Sequence, residues 1–257
     1  MLSTKAIELK GETELAIMRR GGAILSEVLA EIAAAVRPGM TTIELDRIAA
    51  AELSRRRAQP AFLGYRGFPA SLCISLNDEI IHGIPSANRR IREGDLVKLD
   101  IGCVYEGFFS DVAMTVGVAP VRPEAARLLA TTRQALEAGI AALRPDGRLG
   151  DISQAVQACV EAAGFSVVRD FVGHGIGRAL HEEPAVPNYG RSGTGPRLAP
   201  GLVLAIEPMV NAGVCETRTL DDGWTSVTTD GSLSAHFEHT VALTANGPEV
   251  LTSHGRP

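Results

Sequence analysis

A shift of 107 residues lays the chain onto itself, and that constrains the fold more than any single motif. Arg37-Pro38 falls on Arg144-Pro145, and Leu45, Ala49 and Leu53 fall on Ile152, Val156 and Val160. Asp100 falls on Glu207, each six residues after a glycine. Both copies open on a helix. Leu25, Val28, Leu29, Ile32 and Val36 recur at helical spacing up to "RPGM", and "PEAARLLATTRQALEAGIAAL" begins with Pro123 at a first helical position. A second helix follows each: one capped by Thr41 with Glu44 reaching back, the other with Asp151 and Gln154 as the capping pair. Strand-like runs come next, "ASLCISLN", "DLVKLDIGCVYEG" and "FFSDVAMTVGV" in the first copy and "APGLVLAIEPM" in the second. The order predicts two related α/β halves, about 13–121 and 122–251, after an N-terminal segment of residues 1–12. No Gly/Ser linker divides the halves, so one shared sheet and core are expected.

Totals narrow the function classes. With 257 residues, 45% of them hydrophobic, a sizeable core is available. The net charge of −5 argues against nucleic acid as a principal partner. The basic clusters Ser54–Arg57 and Arg89–Arg92 read as solvated faces, although either could touch an anionic surface such as a ribosome. The start lacks the apolar core of a signal peptide, and no apolar run reaches the roughly 18 residues of a membrane span. The four cysteines form no CxxC pair, so reduced thiols and a cytoplasmic setting are expected.

The chemistry lies in acidic residues where acids are costly. Asp100, Asp111, Glu207 and Glu238 sit in strand-like segments, three with mainly apolar neighbours. If each half gives a pair to one face, all four converge. Four like charges in one dry pocket cannot all stay ionised unaided. Protonation or basic partners would relieve them; two divalent cations would balance them fully. His174, between Gly173 and Gly175, would then be a neutral nitrogen ligand. Oxygen donors with one histidine and no cysteine suit Mn, Fe, Co or Zn, without choosing among them. "HEEPA" is not the HExxH zinc motif, because Ala185 stands where the second histidine must be.

"IIHGIPS", "KLDIG" with "FSDVAMT", "VGHGIGRALHEEP", "AIEPMVNAG" and "FEHTVAL" together resemble the bacterial type I methionine aminopeptidases, in order and spacing, from about Thr13 to Leu251. The resemblance implies the pita-bread fold, a pseudo-twofold α/β architecture whose antiparallel-rich sheet carries helices on one face. It implies an exopeptidase with two divalent metal ions that removes the initiator methionine from nascent chains and prefers a small second residue. Asp100 would hold one ion, His174 and Glu207 the other, and Asp111 and Glu238 both. Glu207 would also move the proton, His181 would donate to the scissile carbonyl, and His82 would lie near the peptide amide. The methionine pocket would comprise Tyr65, Phe68, Cys73 and Trp224, completed by Phe62 and Leu180. Two positions depart from the family pattern: many relatives carry cysteine where Phe62 stands and phenylalanine where Leu180 stands. Gly102 is a third, often threonine elsewhere. His239 should point away from Glu238 by strand alternation, and His236 reads as structural. A monomer is expected. The alternatives are a proline-specific peptidase of the same fold and a catalytically inactive binding module.

Overall fold

Two helix pairs form where the repeat places them: α1 (Glu12–Ala35) with α2 (Thr42–Arg55), and α3 (Pro123–Ala142) with α4 (Leu149–Ala162). The computed structural model describes residues 6–253, so residues 1–5 of the expected N-terminal segment lie outside the described residues. Both α2 and α4 span 14 residues and begin 107 positions apart. Glu44 accepts the backbone N–H of Thr41 at 2.7 Å, as expected. The second cap differs from the sequence reading. The N-cap is Arg148, and Asp151 is the third residue of α4, accepting the Arg148 N–H at 2.8 Å. Asp151 is thus the counterpart of Glu44, because the residue that reaches back must lie three positions inside the helix. Val36 ends α1 as an extended cap rather than as part of it.

Ten strands position the site. They are β1 (Leu72–Leu76), β2 (Glu79–Ile81), β3 (Leu96–Tyr105), β4 (Phe108–Gly117) and β5 (Gly173–Gly175), then β6 (Glu182–Val186), β7 (Val203–Ile206), β8 (Met209–Asn211), β9 (Ser234–His236) and β10 (Glu238–Thr244). The main sheet runs β3-β4-β10-β7-β5-β6, with β1 alongside β3 and every neighbour antiparallel. Strands β3 and β4 are a hairpin turned at Glu106-Gly107, both with positive φ, 47° and 84°. That backbone twist suits a two-residue hairpin loop.

Alternation along the strands separates core from chemistry. Leu99, Ile101 and Val112 pack with Leu25, Val28, Ile32 and Leu45 of the first helix pair. Leu204, Ile206, Val241 and Leu243 pack with Leu136 and Ile152 of the second. Each fully buried side chain of this kind contributes roughly 1.5–3 kcal/mol. Both helix pairs therefore cover one face. Residues of the opposite parity, Asp100, Asp111 and Glu238 among them, face the other way.

Part of each basic cluster is engaged within the chain. Arg55 and Arg56 pair with Glu52 and Glu31, and Arg89 pairs with Glu79. No helix among the described residues is long and apolar enough to cross a membrane.

Candidate metal centre

Ala113 on β4 is the register point of the cluster: it pairs with Asp100 on one side and with Glu238 on the other. Asp111, two residues back, pairs with Gly102. One donor atom each from Asp111, His174 and Glu238 lies within 4.8 Å of the others. Glu207 is not in a strand, contrary to the sequence reading. It falls between β7 and β8, where Pro208 interrupts the ladder. Freed from the pleat, its carboxylate reaches within 3.6 Å of His174 Nε2 and 3.7 Å of His236 Nε2.

Gly173 and Gly175 let neighbouring backbones approach closely. They flank His174 within β5, and neither has a positive φ. A Cβ on Gly173 would sit 2.3 Å from the Ala205 carbonyl, and one on Gly175 2.3 Å from that of Glu183. Only hydrogen fits between these backbones. A register shift between His174 and Gly175 adjusts the strand at the histidine. His174 Nδ1 lies 2.9 Å from the Gly175 carbonyl, which can only accept, so Nδ1 carries the proton. The Nε2 lone pair is left facing Glu207. Burial, reinforced by the neighbouring His181, holds His174 down at about 3, so the ring is neutral.

The carboxylates are short of partners. Asp100 Oδ1, Asp111 Oδ1 and Glu238 Oε1 are buried and accept no hydrogen bond among the described residues. Burial pushes Asp100 up to about 7. It pushes Asp111, Glu207 and Glu238 well above the usual carboxylate range, with their mutual repulsion adding to the effect. Unsatisfied anionic oxygens converging on one neutral imidazole nitrogen form a donor set that fits divalent cations, since each orphan is a vacant ligand.

The remaining expected residues line the same cavity, of about 150 Å³. His181 lies with its ring centre 4.1 Å from that of His174, and its Nδ1 is 2.9 Å from the Tyr65 hydroxyl. His82 has the left-handed φ of 59°, and its ring stands edge-on to Trp224 at 6.2 Å and to Phe171 at 5.6 Å. Burial holds His82 at about 4, hence neutral. Phe62, Phe68, Cys73 and Leu180 complete the apolar wall, with Phe68 edge-on to Trp224 at 5.1 Å. This wall of rings and a thiol, without a charged group, suits one unbranched apolar side chain.

Two residues at or beside the site escaped the sequence reading, and a third, His236, was read there as structural. Arg66 also lines the cavity, at its exposed mouth. Lys98 is fully buried and donates to the carbonyls of Asn77, at 2.9 Å, and Ser234, at 2.8 Å. It ties the segment before His82 to the one before His236. His236 lies 3.9 Å from Glu238 as well as beside Glu207, and neither ring nitrogen has a hydrogen-bond partner among the described residues. Its parity with Glu238 was the available signal. His239 does point to the helix face, where Nδ1 lies 2.9 Å from the Thr252 hydroxyl.

Comparison with known proteins places this geometry. The model of metallopeptidase family M24 matches residues 16–245. A methionine aminopeptidase of Clostridium perfringens is 54% identical, the match covering 96% of this chain and 98% of that protein. Methionine aminopeptidase 1 of Bacillus subtilis is 46% identical over 95% and 98%. The crystal structure of methionine aminopeptidase from Thermotoga maritima superposes with a TM-score of 0.95 at 42% identity, covering 97% of this chain and all of that one.

Proposed function

The chain belongs to metallopeptidase family M24, with the pita-bread fold and the type I methionine aminopeptidases as its group, and we propose that it removes the initiator methionine from nascent proteins. The observation that carries this reading is the convergence of two buried and two half-buried carboxylates with one neutral histidine at the floor of a pocket with an apolar wall. Asp100, Asp111, His174, Glu207 and Glu238 would hold two divalent ions from among Co, Mn, Fe and Zn. Such ions, when bound, balance the carboxylate charge, polarise a carbonyl oxygen and make water nucleophilic near neutral pH.

The chain's own residues do the rest. The apolar wall of Phe62, Tyr65, Phe68, Cys73, Leu180 and Trp224 receives the methionine side chain. Neutral His82 hydrogen-bonds the peptide amide. The Tyr65 hydroxyl, donating to His181 Nδ1, leaves Nε2–H to donate to the scissile carbonyl oxygen as it turns negative. Glu207, whose raised affinity for protons follows from burial, takes a proton from water and returns it to the leaving amine. His181 and Tyr65 crowd the mouth, which favours a small second residue. Residues 13–251 act as one catalytic unit, a cytoplasmic monomer that meets nascent N-termini with transient contact to the ribosome.

The test uses chelator-stripped protein on Met-Ala-Ser and Leu-Pro-Ala, before and after adding Mn, Fe, Co or Zn. Metal-restored release of methionine alone is the expected result. Cleavage before proline, or no cleavage by folded metal-binding protein, would overturn the reading.

A further inference from the structure

Among the described residues that line the pocket, Arg66 is the only lysine or arginine. It makes no ion pair with any described carboxylate, whereas Arg55, Arg56, Arg89 and Arg178 all do. A guanidinium at a site mouth without an internal partner is available to a ligand.

The backbone holds it there. Arg66 adopts the left-handed φ of 47° and ψ of 25°, between Gly64 and Gly67, whose own φ values are 81° and 90°. The loop is closed by the Gly64 N–H donating to the Phe68 carbonyl at 2.8 Å, and by the Phe68 N–H donating to that of Tyr65 at 2.9 Å. The tip therefore projects outward from a fixed base. Stacking gives the direction. The Arg66 guanidinium carbon lies 5.4 Å from the Tyr65 ring centre, Tyr65 stacks on His181 at 5.4 Å, and His181 meets His174 at 4.1 Å. A column of four groups thus runs from the carboxylate cluster to the mouth.

A peptide that leaves the pocket at the exposed edge formed by Arg66 passes that column. Extended chain advances about 3.3 Å per residue, so each 5.4 Å step spans between one and two residues. With the first side chain in the pocket and its carbonyl at His181, two residues of extended chain cover about 6.6 Å of the at most roughly 11 Å to the Arg66 guanidinium, and the side chain of the third residue covers the rest. We propose that Arg66 is a specificity-determining residue that selects peptides carrying a carboxylate on the third residue. A guanidinium recognises a carboxylate by paired, charge-assisted hydrogen bonds, which an amide imitates only weakly. The inference rests on the aminopeptidase reading.

The experiment compares kcat/KM of the manganese-loaded full chain on four peptides. Three are C-terminally amidated, Met-Ala-Asp-Ser, Met-Ala-Asn-Ser and Met-Ala-Lys-Ser; the fourth is Met-Ala-Asn-Ser as the free acid. The aspartate peptide is expected to exceed its asparagine counterpart roughly three- to tenfold, mainly through KM, with the advantage shrinking as NaCl rises. Arg66→Ala should bring that ratio to about one, and Arg66→Glu should turn the preference toward the lysine peptide. Equal rates on the aspartate and asparagine amides, or a ratio that survives Arg66→Ala, would overturn the assignment. So would a gain confined to the free acid, which would mean that the chain terminus is read instead. Cleavage of none of the four would instead sink the aminopeptidase reading.

Discussion

Phe62 lies over Gly102 so closely that a Cβ built on Gly102 would come within 2.7 Å of the Phe62 ring and 3.0 Å of Ala61 Cβ. Two departures from the family pattern are thereby one: the large ring needs the missing side chain. Gly102→Thr alone should overpack this wall and cost roughly 1–3 kcal/mol. Adding Phe62→Cys should return most of it. Thermal unfolding of the single and double variants checks this, and strictly additive losses would show that the positions are independent.

Glu207→Gln keeps shape and volume while removing the proton acceptor. Methionine release should become undetectable, with the circular dichroism spectrum unchanged. Full activity would remove Glu207 from the mechanism.

Losing the His181 donor should be felt where charge develops. His181→Ala is expected to lower kcat roughly 10²- to 10³-fold, the scale of one oxyanion donor, with KM moved far less. Unchanged kcat would demote His181 to a wall of the mouth.

The acids and the histidines set opposite pH limits on the metal-free protein. Asp100 titrates at about 7 in the fold against an unfolded value of 3.8, and Asp111, Glu207 and Glu238 are raised as well, all first by burial. Groups raised in the fold stabilise it below their unfolded values and lose that contribution as pH climbs through the folded ones. His82 and His174 are lowered by burial from 6.5 to about 4 and about 3, so their contribution is present above 6.5 and fades below it. The Tm of chelated protein should peak between these limits and fall toward pH 8. Added Mn or Co should raise it most at pH 8, where fewest protons must be displaced. A Tm of chelated protein that climbs steadily to pH 8 would contradict a buried, unpaired acid cluster.

His236 should matter to metal affinity although it touches no substrate. Its neutral ring lies 3.7 Å from Glu207 and 3.9 Å from Glu238, with no other polar partner among the described residues. His236→Leu is expected to weaken Mn binding roughly 10- to 100-fold by calorimetry, and His236→Gln, which keeps a donor, much less. Equal affinity in all three proteins would leave His236 a packing residue.

Much of this was legible because residues on a pleated strand announce their face. Asp100 among Leu99 and Ile101, and Glu238 beside Phe237 and His239, could be assigned from parity alone. The repeat put α2 and α4 at one offset, although the cap of α4 was read three residues late. It gave no warning that the second copy lengthens beyond Glu207. Asp111 and Glu238 are 127 residues apart, 20 more than the shift of 107, because extra chain enters between β7 and β10. That insertion carries Trp224 in a bend, where no periodicity applies, and His236 on a strand of three residues. The role of the glycines beside His174 was hidden for a related reason. A sequence shows that a side chain is missing, but only the neighbouring backbones of Ala205 and Glu183 show what needed the room.

The cluster's symmetry is broken at one place. β3 and β4 answer to β7 and β10 across the middle of the sheet, so Asp100 with Asp111 mirrors Glu207 with Glu238. The shift that relates the halves carries His174 onto Gly67, which has no side chain to offer. The second half thus brings to the cluster an imidazole that the first half has no side chain to match, so a donor set built on a twofold plan is unequal about its own axis.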